Sequence, residues 1–425
     1  MGKSPLILAA LAQAAIPAAK FTQVQKLSRE GTGPFDSILL TTESGQHLVA
    51  RVAHAPKNET DLVTEVRALD ALTDAYRARL PFTVSRRLAE TNSGGQSLYV
   101  FDFVYGSEIS INNVGADSPL TASLGNALAA IHNLPLDLVQ SAGLREFSPE
   151  EIRRHRVAAL DRALETGKIP PILAQRWDAV LEDVSLFRFQ PSVVHGAFNG
   201  SSVLTLEHEV SGVLNWSHLQ IGDPADDLSW ICAGGDDNLV SAVRATYATQ
   251  RNSDDALWLR AQLYSELDLV TWLLHNVSIG NADYIAEAQE MLEALAAEVE
   301  QGLVPSLGAQ PQAFAAMPAE EIAFVSTRTA PVAVAAAPPL VSESFSSAET
   351  GIVELVAQSI RDAQPADDLV TTYSAPITEP VVVPHLDTVP VITAELDDER
   401  TEPLNIVDDK TRPIELPPKG DNELF

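Results

Sequence analysis

Apolar positions along the first hundred residues recur mostly in short runs. Phe21–Leu27, Phe35–Thr41 and His47–Val52 read as three strands, separated by turns at Gly31–Pro34 and Glu43–Gln46. The period then changes. Leu62, Val66, Leu69 and Leu72 form one helical stripe, with Asn58 placed to cap it. Leu98–Val104 is a continuous apolar strand with Asp102 inside it, broken at Tyr105-Gly106. A long helix follows, with Ser118 as cap, Pro119 at its start and Leu120, Leu124, Leu128 and Ile131 as its stripe. Residues 149–187 read as one or two helices. Three short strands come next, Ser192–Val194, Val203–Thr205 and Val210–Leu214, and helical patterns run from Asp227 to about Glu300. Ahead of all these, Leu8, Leu11, Ala12 and Ile16 line one face of a helix that Ser4 can cap, Pro5 can start and Pro17 ends. Lys3 with the run Leu6–Ile16 also resembles a secretory signal, but the next strand begins near Phe21 and leaves little spacer, which favours the helix.

One polar residue sits on a buried stripe. Glu65 lies three residues after Leu62 and four before Leu69. A buried carboxylate needs a partner. Arg51, in the third strand, is the natural candidate. His132, at the end of the long helix, reads as a structural helix-end histidine. Arg153, Arg154, His155 and Arg156 are the most basic spot, but four consecutive residues cover all sides of a helix and make no single face.

Composition changes the picture most after residue 304. Fifteen of the 27 prolines fall beyond residue 300, with few aromatics and an acidic excess. Such a segment buries too little apolar area to offset ordering entropy, so 305–425 reads as a disordered tail. Within it, Ile352, Leu355, Val356 and Ile360 space out a short amphipathic helix over Glu349–Arg361, a candidate docking element for a protein partner. The formal net charge of -30 disfavours nucleic acid and anionic membrane surfaces, and is compatible with cationic small molecules. The single cysteine, Cys232, excludes an intramolecular disulfide framework and suits a cytoplasmic location. No apolar run approaches the length of about 20 residues that spans a bilayer.

The most specific stretch is 192–228. It contains His195-Gly196-Ala197, Ser202 five residues after Ala197, Asn215-Trp216 after the next hairpin, then Asp223-Pro224-Ala225-Asp226-Asp227-Leu228. A hairpin brings its strand ends together, so 195–202 faces 215. In order and spacing, this frame resembles the catalytic core of the aminoglycoside and macrolide phosphotransferase family. That family carries His-Gly-Asp, an Asn five residues on, an Asp-Trp, and Asp-Pro-x-x-Asp-Leu.

The resemblance implies an α+β, two-lobed, protein-kinase-like fold. Residues 1–20 would be an N-terminal helix, 21–104 an antiparallel N-lobe sheet with its helix, and 105–304 a helical C-lobe, ahead of the tail. It implies phosphoryl transfer from ATP or GTP with Mg²⁺, phosphate pairing at Arg51 and Glu65, and base docking on the hinge at Asp102 and Val104. Asp223 and Asp227 would anchor backbone. In such a fold the turn at 29–34 would cover phosphates, but Glu30 and Pro34 suit an ordinary hairpin turn better. The acidic residues Asp254, Asp255, Glu266 and Asp268 fall where the family builds its substrate pocket, although caps and solvated faces account for them as well.

The three reactive positions differ from the family pattern. The base position holds Ala197, and the metal positions hold Ser202 and Asn215. Nucleotide and metal affinity should therefore be weakened. Three readings follow. The leading one is a catalytically impaired pseudokinase with a binding or scaffolding role. The second is a weak or atypical phosphotransferase acting on a hydroxyl of a small molecule, cationic or neutral, through His195, Asp223 or another carboxylate. The third is a binding module for a small cationic or apolar molecule in the old substrate cleft.

Overall fold

The structure, a computed structural model, describes residues 4–27 and 33–307 and the backbone of three two-residue strand segments, Glu343–Ser344, Thr372–Tyr373 and Val381–Val382. The expectations for the turn at 29–34, for the most part, for the tail beyond 307 and for a helix over Glu349–Arg361 lie outside the described residues.

The N-terminal half is a mixed lobe. Helix α1 (Pro5–Ala15) leads into strands β1 (Phe21–Lys26), β2 (Phe35–Thr42) and β3 (His47–Ala53), then α2 (Glu59–Ala71), the short α3 (Asp74–Arg77), β4 (Arg87–Ser93) and β5 (Gln96–Asp102). These strands form an antiparallel sheet in the order β1-β2-β3-β5-β4, and the outer edge of β1 pairs with Glu343–Ser344. Strand parity sorts the side chains. Leu48, Ala50 and Val52 of β3 and Leu98 and Val100 of β5 pack in one cluster with α1, while Tyr99 and Phe101 join α2 in the other. Arg51 lies between Ala50 and Val52, so it faces α2.

Helix α1 is structural. Leu8, Leu11 and Ile16 are at most 3% exposed. Each such side chain contributes about 1.5–3 kcal/mol by burial. The buried Gln13 ties the helix end to the sheet. Its amide donates to the carbonyls of Ile16 and Pro17 and accepts from the Phe21 N–H. Leu11→Asp would place a charge against β4 and β5 and detach the helix.

The C-terminal half is helical. A two-residue strand β6 (Ser107–Glu108) precedes α4 (Pro119–His132), α5 (Asp137–Ser141), β7 (Arg145–Glu146), α6 (Pro149–Glu165) and α7 (Pro171–Glu182). Then come β8 (Ser192–Val194), the hairpin β9 (Val203–Leu206) and β10 (Glu209–Val213), β11 (Gln220–Gly222), and helices α8 (Ala225–Gly234), α9 (Asp237–Gln250), α10 (Leu257–Ile279) and α11 (Ala282–Glu300). β8 pairs with β11, and β9 with both β10 and β6. Chain packing runs on past 304. Arg176 donates to the Pro305 carbonyl at 2.6 Å, and Leu307 is buried.

Several local expectations are corrected. β4 has no counterpart in the strands read from the sequence. Its alternation is broken by a register shift between Arg87 and Ala89, which buries two consecutive residues, Leu88 and Ala89. β5 stops at Asp102, whose carboxylate accepts the Arg86 N–H at 2.5 Å. Ser118 caps α4 as expected, but Ser4 and Asn58 occupy cap positions without a side-chain capping bond.

Candidate active site

The loop after β8 is shaped by one glycine and one buried aspartate. Gly196 has φ +74°, and a Cβ there would lie 2.5 Å from the His218 carbonyl oxygen, so no other residue fits. Asp227, at the start of α8, is fully buried and reaches back to the loop. Its carboxylate accepts the N–H groups of His195 at 2.7 Å and Gly196 at 2.8 Å. It also pairs with His132 Nε2 at 3.0 Å, and His132 Nδ1 meets the Tyr247 hydroxyl at 2.9 Å. Burial raises the Asp227 carboxyl, but the His132 bond and charge and the His195 contacts outweigh it and hold the group below the usual carboxylate range.

His195 spans the site. Its Nε2 bonds the Leu214 carbonyl at 2.9 Å, while the Ala197 N–H donates to Nδ1 at 3.3 Å. That network assigns a neutral ring protonated on Nε2. Burial lowers its pKa further, against the pull of Asp227. Both nitrogens are occupied and the ring packs edge-on against Trp216 at 4.8 Å.

The three reactive positions converge. Ser202 is 1% exposed; its hydroxyl lies 3.0 Å from the Ala197 carbonyl and 2.9 Å from the Asn199 carbonyl, and accepts the Asn199 N–H. The Ser202 carbonyl accepts the Leu214 N–H at 2.8 Å, which places Asn215 beside it. Asn215 is half-buried in a left-handed conformation, φ 64° and ψ 51°. Ala197 contributes a methyl group. The patch carries no charge.

The N-lobe meets this patch through α2, which packs on the turn Trp216–His218 directly after Asn215. On that helix Glu65 is 3% exposed and accepts from Arg51 Nη1 at 2.8 Å. Arg51 Nε donates to the Ser37 hydroxyl at 3.2 Å, and its guanidinium lies over Phe35. Glu65 is within electrostatic reach of His195. Arg51, Glu65 and the 195–215 patch therefore share one side of the molecule.

Asp102 and Val104 occupy the connection between the halves. Burial pushes the Asp102 carboxyl up, opposed by the Arg86 N–H. Val104 fills the space left by Gly212, where a Cβ would lie 2.2 Å from Val104 Cγ1. The Ser211 hydroxyl donates to the Tyr105 carbonyl at 2.7 Å and stitches this connection to β10.

Asp223 is held separately. Arg260 grips it on both oxygens at 2.7 and 3.1 Å, and the Tyr264 hydroxyl donates at 2.9 Å. The same guanidinium holds Asp254 at 2.7 and 3.0 Å. Arg260 is not apparent as a functional residue in the sequence. The signal was present: Arg260 sits on the buried face of α10 with Leu257, Ala261 and Tyr264. Among the acidic residues expected near a substrate pocket, Glu266 binds Arg176 and Trp177 Nε1, and Asp254 binds Arg260. Both are structural partners. Asp255 and Asp268 are exposed. The basic run is dispersed as expected: Arg153 donates to the Leu181 carbonyl, and Arg156 pairs with Asp226.

An antiparallel sheet with one helix locked to it by an Arg–Glu pair, joined to a helical half that holds a His-Gly loop and a hairpin, is the kinase-like fold of small-molecule phosphotransferases. The chain belongs to the phosphotransferase enzyme family, whose model matches residues 34–264. Among solved structures it is similar to macrolide 2′-phosphotransferase MphH from Brachybacterium faecium, with 21% identity, 67% of this chain and 97% of that chain covered, and a TM-score of 0.57. It is also similar to macrolide 2′-phosphotransferase type I, with 23% identity, 67% and 95% coverage and a TM-score of 0.56. A third is an aminoglycoside phosphotransferase, APH(2″)-IIIa, in complex with GDP and kanamycin, with 18% identity, 69% and 99% coverage and a TM-score of 0.58. At these identities the likeness is one of fold. No curated protein matches the chain.

The family's Mg²⁺ does not fit the residues present. Hard cations need anionic oxygens. Ser202 is neutral with its hydroxyl turned into the loop, and Asn215 is neutral. The carboxylates Asp223, Asp227 and Glu65 are committed to Arg260, to the loop backbone and to Arg51. Among the described residues no group of three or more His, Cys, Asp or Glu side chains could hold a metal, and no helix is long and apolar enough to cross a membrane.

Proposed function

We propose that this family member is a catalytically impaired phosphotransferase, a pseudokinase whose fold serves binding or scaffolding. One observation carries the reading: the patch at Ala197, Ser202 and Asn215 is uncharged, and the Ser202 hydroxyl is turned into its own loop. In phosphoryl transfer the protein contributes positioning and charge stabilisation. Loss of a general base alone costs on the order of 10²–10⁴ in rate. Here the base and the metal ligands are both replaced.

The rival reading, an active or weak ATP- or GTP-dependent phosphotransferase acting on a hydroxyl of a small molecule, cationic or neutral, needs a substitute base. His195 is neutral with both nitrogens occupied, Asp223 is clamped by Arg260 and Tyr264, and Asp227 holds the loop. Each would have to leave a buried network to act. The Arg51–Glu65 pair favours residual contact with ATP or GTP, with Mg²⁺ contributing little. Two of the similar structures are macrolide phosphotransferases and one is a GDP and kanamycin complex, which supports a small-molecule ligand in the cleft. A protein partner would engage Glu349–Arg361. A cytoplasmic location is supported by Cys232, a single thiol raised by burial to about 12.

The test is transfer of labelled phosphate from ATP and from GTP, with Mg²⁺, to kanamycin and to erythromycin. The expected result is no product above the no-enzyme control. Robust turnover that disappears when a cleft residue is substituted overturns the proposal.

A further inference from the structure

A cavity of about 450 Å³ opens on the helical half, away from the patch at 197–215. Small-molecule pockets run from roughly 300 to 1,000 Å³. None of Arg51, Glu65, Ala197, Ser202 and Asn215 lines it, so it is distinct from the cleft. Its apolar wall comes from four elements: Phe189 ahead of β8, Pro224 ahead of α8, Tyr247 on α9 and Leu257 at the start of α10. All four are buried, so their positions are set by the core behind them.

The charges around it are uneven. Two guanidinium groups, Arg188 and Arg251, line the cavity against one carboxylate, Asp254. Both oxygens of Asp254 are already held by Arg260. Arg251 uses Nη1 on the His132 carbonyl at 2.6 Å and on Asn133 Oδ1 at 3.0 Å, and a further side-chain hydrogen bond links it to Tyr247, which fixes its guanidinium at the cavity wall. Arg188 is exposed, its backbone N–H donates to the Ser185 carbonyl at 3.3 Å, and its guanidinium makes no hydrogen bond or salt bridge among the described residues. Asp183 is within its electrostatic reach, but that carboxylate accepts from the Ser185 N–H and hydroxyl. In a chain of net charge -30, a concave apolar wall edged by two arginines is a local reversal of sign. Guanidinium forks suit planar or tetrahedral oxyanions.

We propose that this cavity binds a small organic anion, a carboxylate or phosphate monoester on a compact apolar body. The body lies against Phe189, Pro224 and Leu257, and the anionic group meets Arg188 and Arg251. The proposal does not depend on whether the cleft is catalytic.

Isothermal titration of the full chain with phenyl phosphate and with benzoate tests it, with benzyl alcohol as the uncharged control. The expected result is one saturable site for at least one anion, at least ten-fold tighter than any benzyl alcohol binding. Which anion binds assigns the head group. Arg188→Glu should weaken that binding at least ten-fold. Because Arg188 is exposed, its melting temperature should match that of the wild type. Two results would overturn the proposal: anions that bind no better than benzyl alcohol, or an affinity indifferent to Arg188→Glu.

Discussion

Replacing Asp227 with Asn should cost far more stability than its near-isosteric shape suggests. The carboxylate is fully buried and accepts from His195 N at 2.7 Å, Gly196 N at 2.8 Å and His132 at 3.0 Å. An asparagine keeps one oxygen. Its amide turns a donor towards one of three groups that now donate or pair there, so at least one backbone N–H is left without an acceptor. An unsatisfied buried donor costs about 1–3 kcal/mol, and hydrogen bonds to a charged group contribute about 1.5–3 kcal/mol each. Breaking a buried charged network typically costs about 3–5 kcal/mol in all. For a domain somewhat larger than 250 residues, each kcal/mol shifts the melting temperature by about 2–4 °C or slightly less. Differential scanning calorimetry should therefore show Asp227→Asn melting on the order of 10 °C lower. Hydrogen exchange should show the His195 and Gly196 amides losing protection. A drop under 3 °C with both amides still protected would refute the role assigned to this carboxylate.

Glu65→Ala strands the Arg51 guanidinium beside Phe35 and should destabilise by about 2–3 kcal/mol in urea unfolding, while the double variant Arg51→Ala/Glu65→Ala should recover part of that loss; strictly additive effects would argue against a coupled pair. Burial pushes the Asp226 carboxyl up to about 7, against the pull of Arg156. The folded state thus holds a proton that the unfolded state, near an ordinary carboxylate pKa, has released. That raises stability as pH falls from about 7 towards 4 and removes the gain above about 7. Relative to Asp226→Asn, the wild type should gain melting temperature between pH 8 and pH 5, and parallel curves for the two proteins would contradict this assignment.

Strand parity made much of the N-lobe readable. Once Leu48, Ala50 and Val52 form a buried row, Arg51 must face the other way, and the helix stripe puts Glu65 opposite it. The hairpin did the same for 195–202 and 215. What stayed hidden was long-range polar pairing. Nothing local in Arg260 announces that it holds Asp223, 37 positions earlier, together with Asp254. β4 was hidden because a bulge between Arg87 and Ala89 buries the consecutive residues Leu88 and Ala89 and breaks the period of two. Caps were the least reliable detail, because Asn58 has cap chemistry but a helical backbone conformation, φ -91° and ψ -6°.

The central claim is that the neutral patch at 197, 202 and 215 has lost its metal-nucleotide function. Titration calorimetry of ATP and GTP, with and without Mg²⁺, on the wild type and on Ala197→Asp/Ser202→Asn/Asn215→Asp tests it most directly. The wild type should bind nucleotide weakly or not at all, with affinity that Mg²⁺ does not improve, and the triple variant should bind more tightly only when Mg²⁺ is present. Tight Mg²⁺-dependent binding by the wild type, unchanged in the triple variant, would contradict the account.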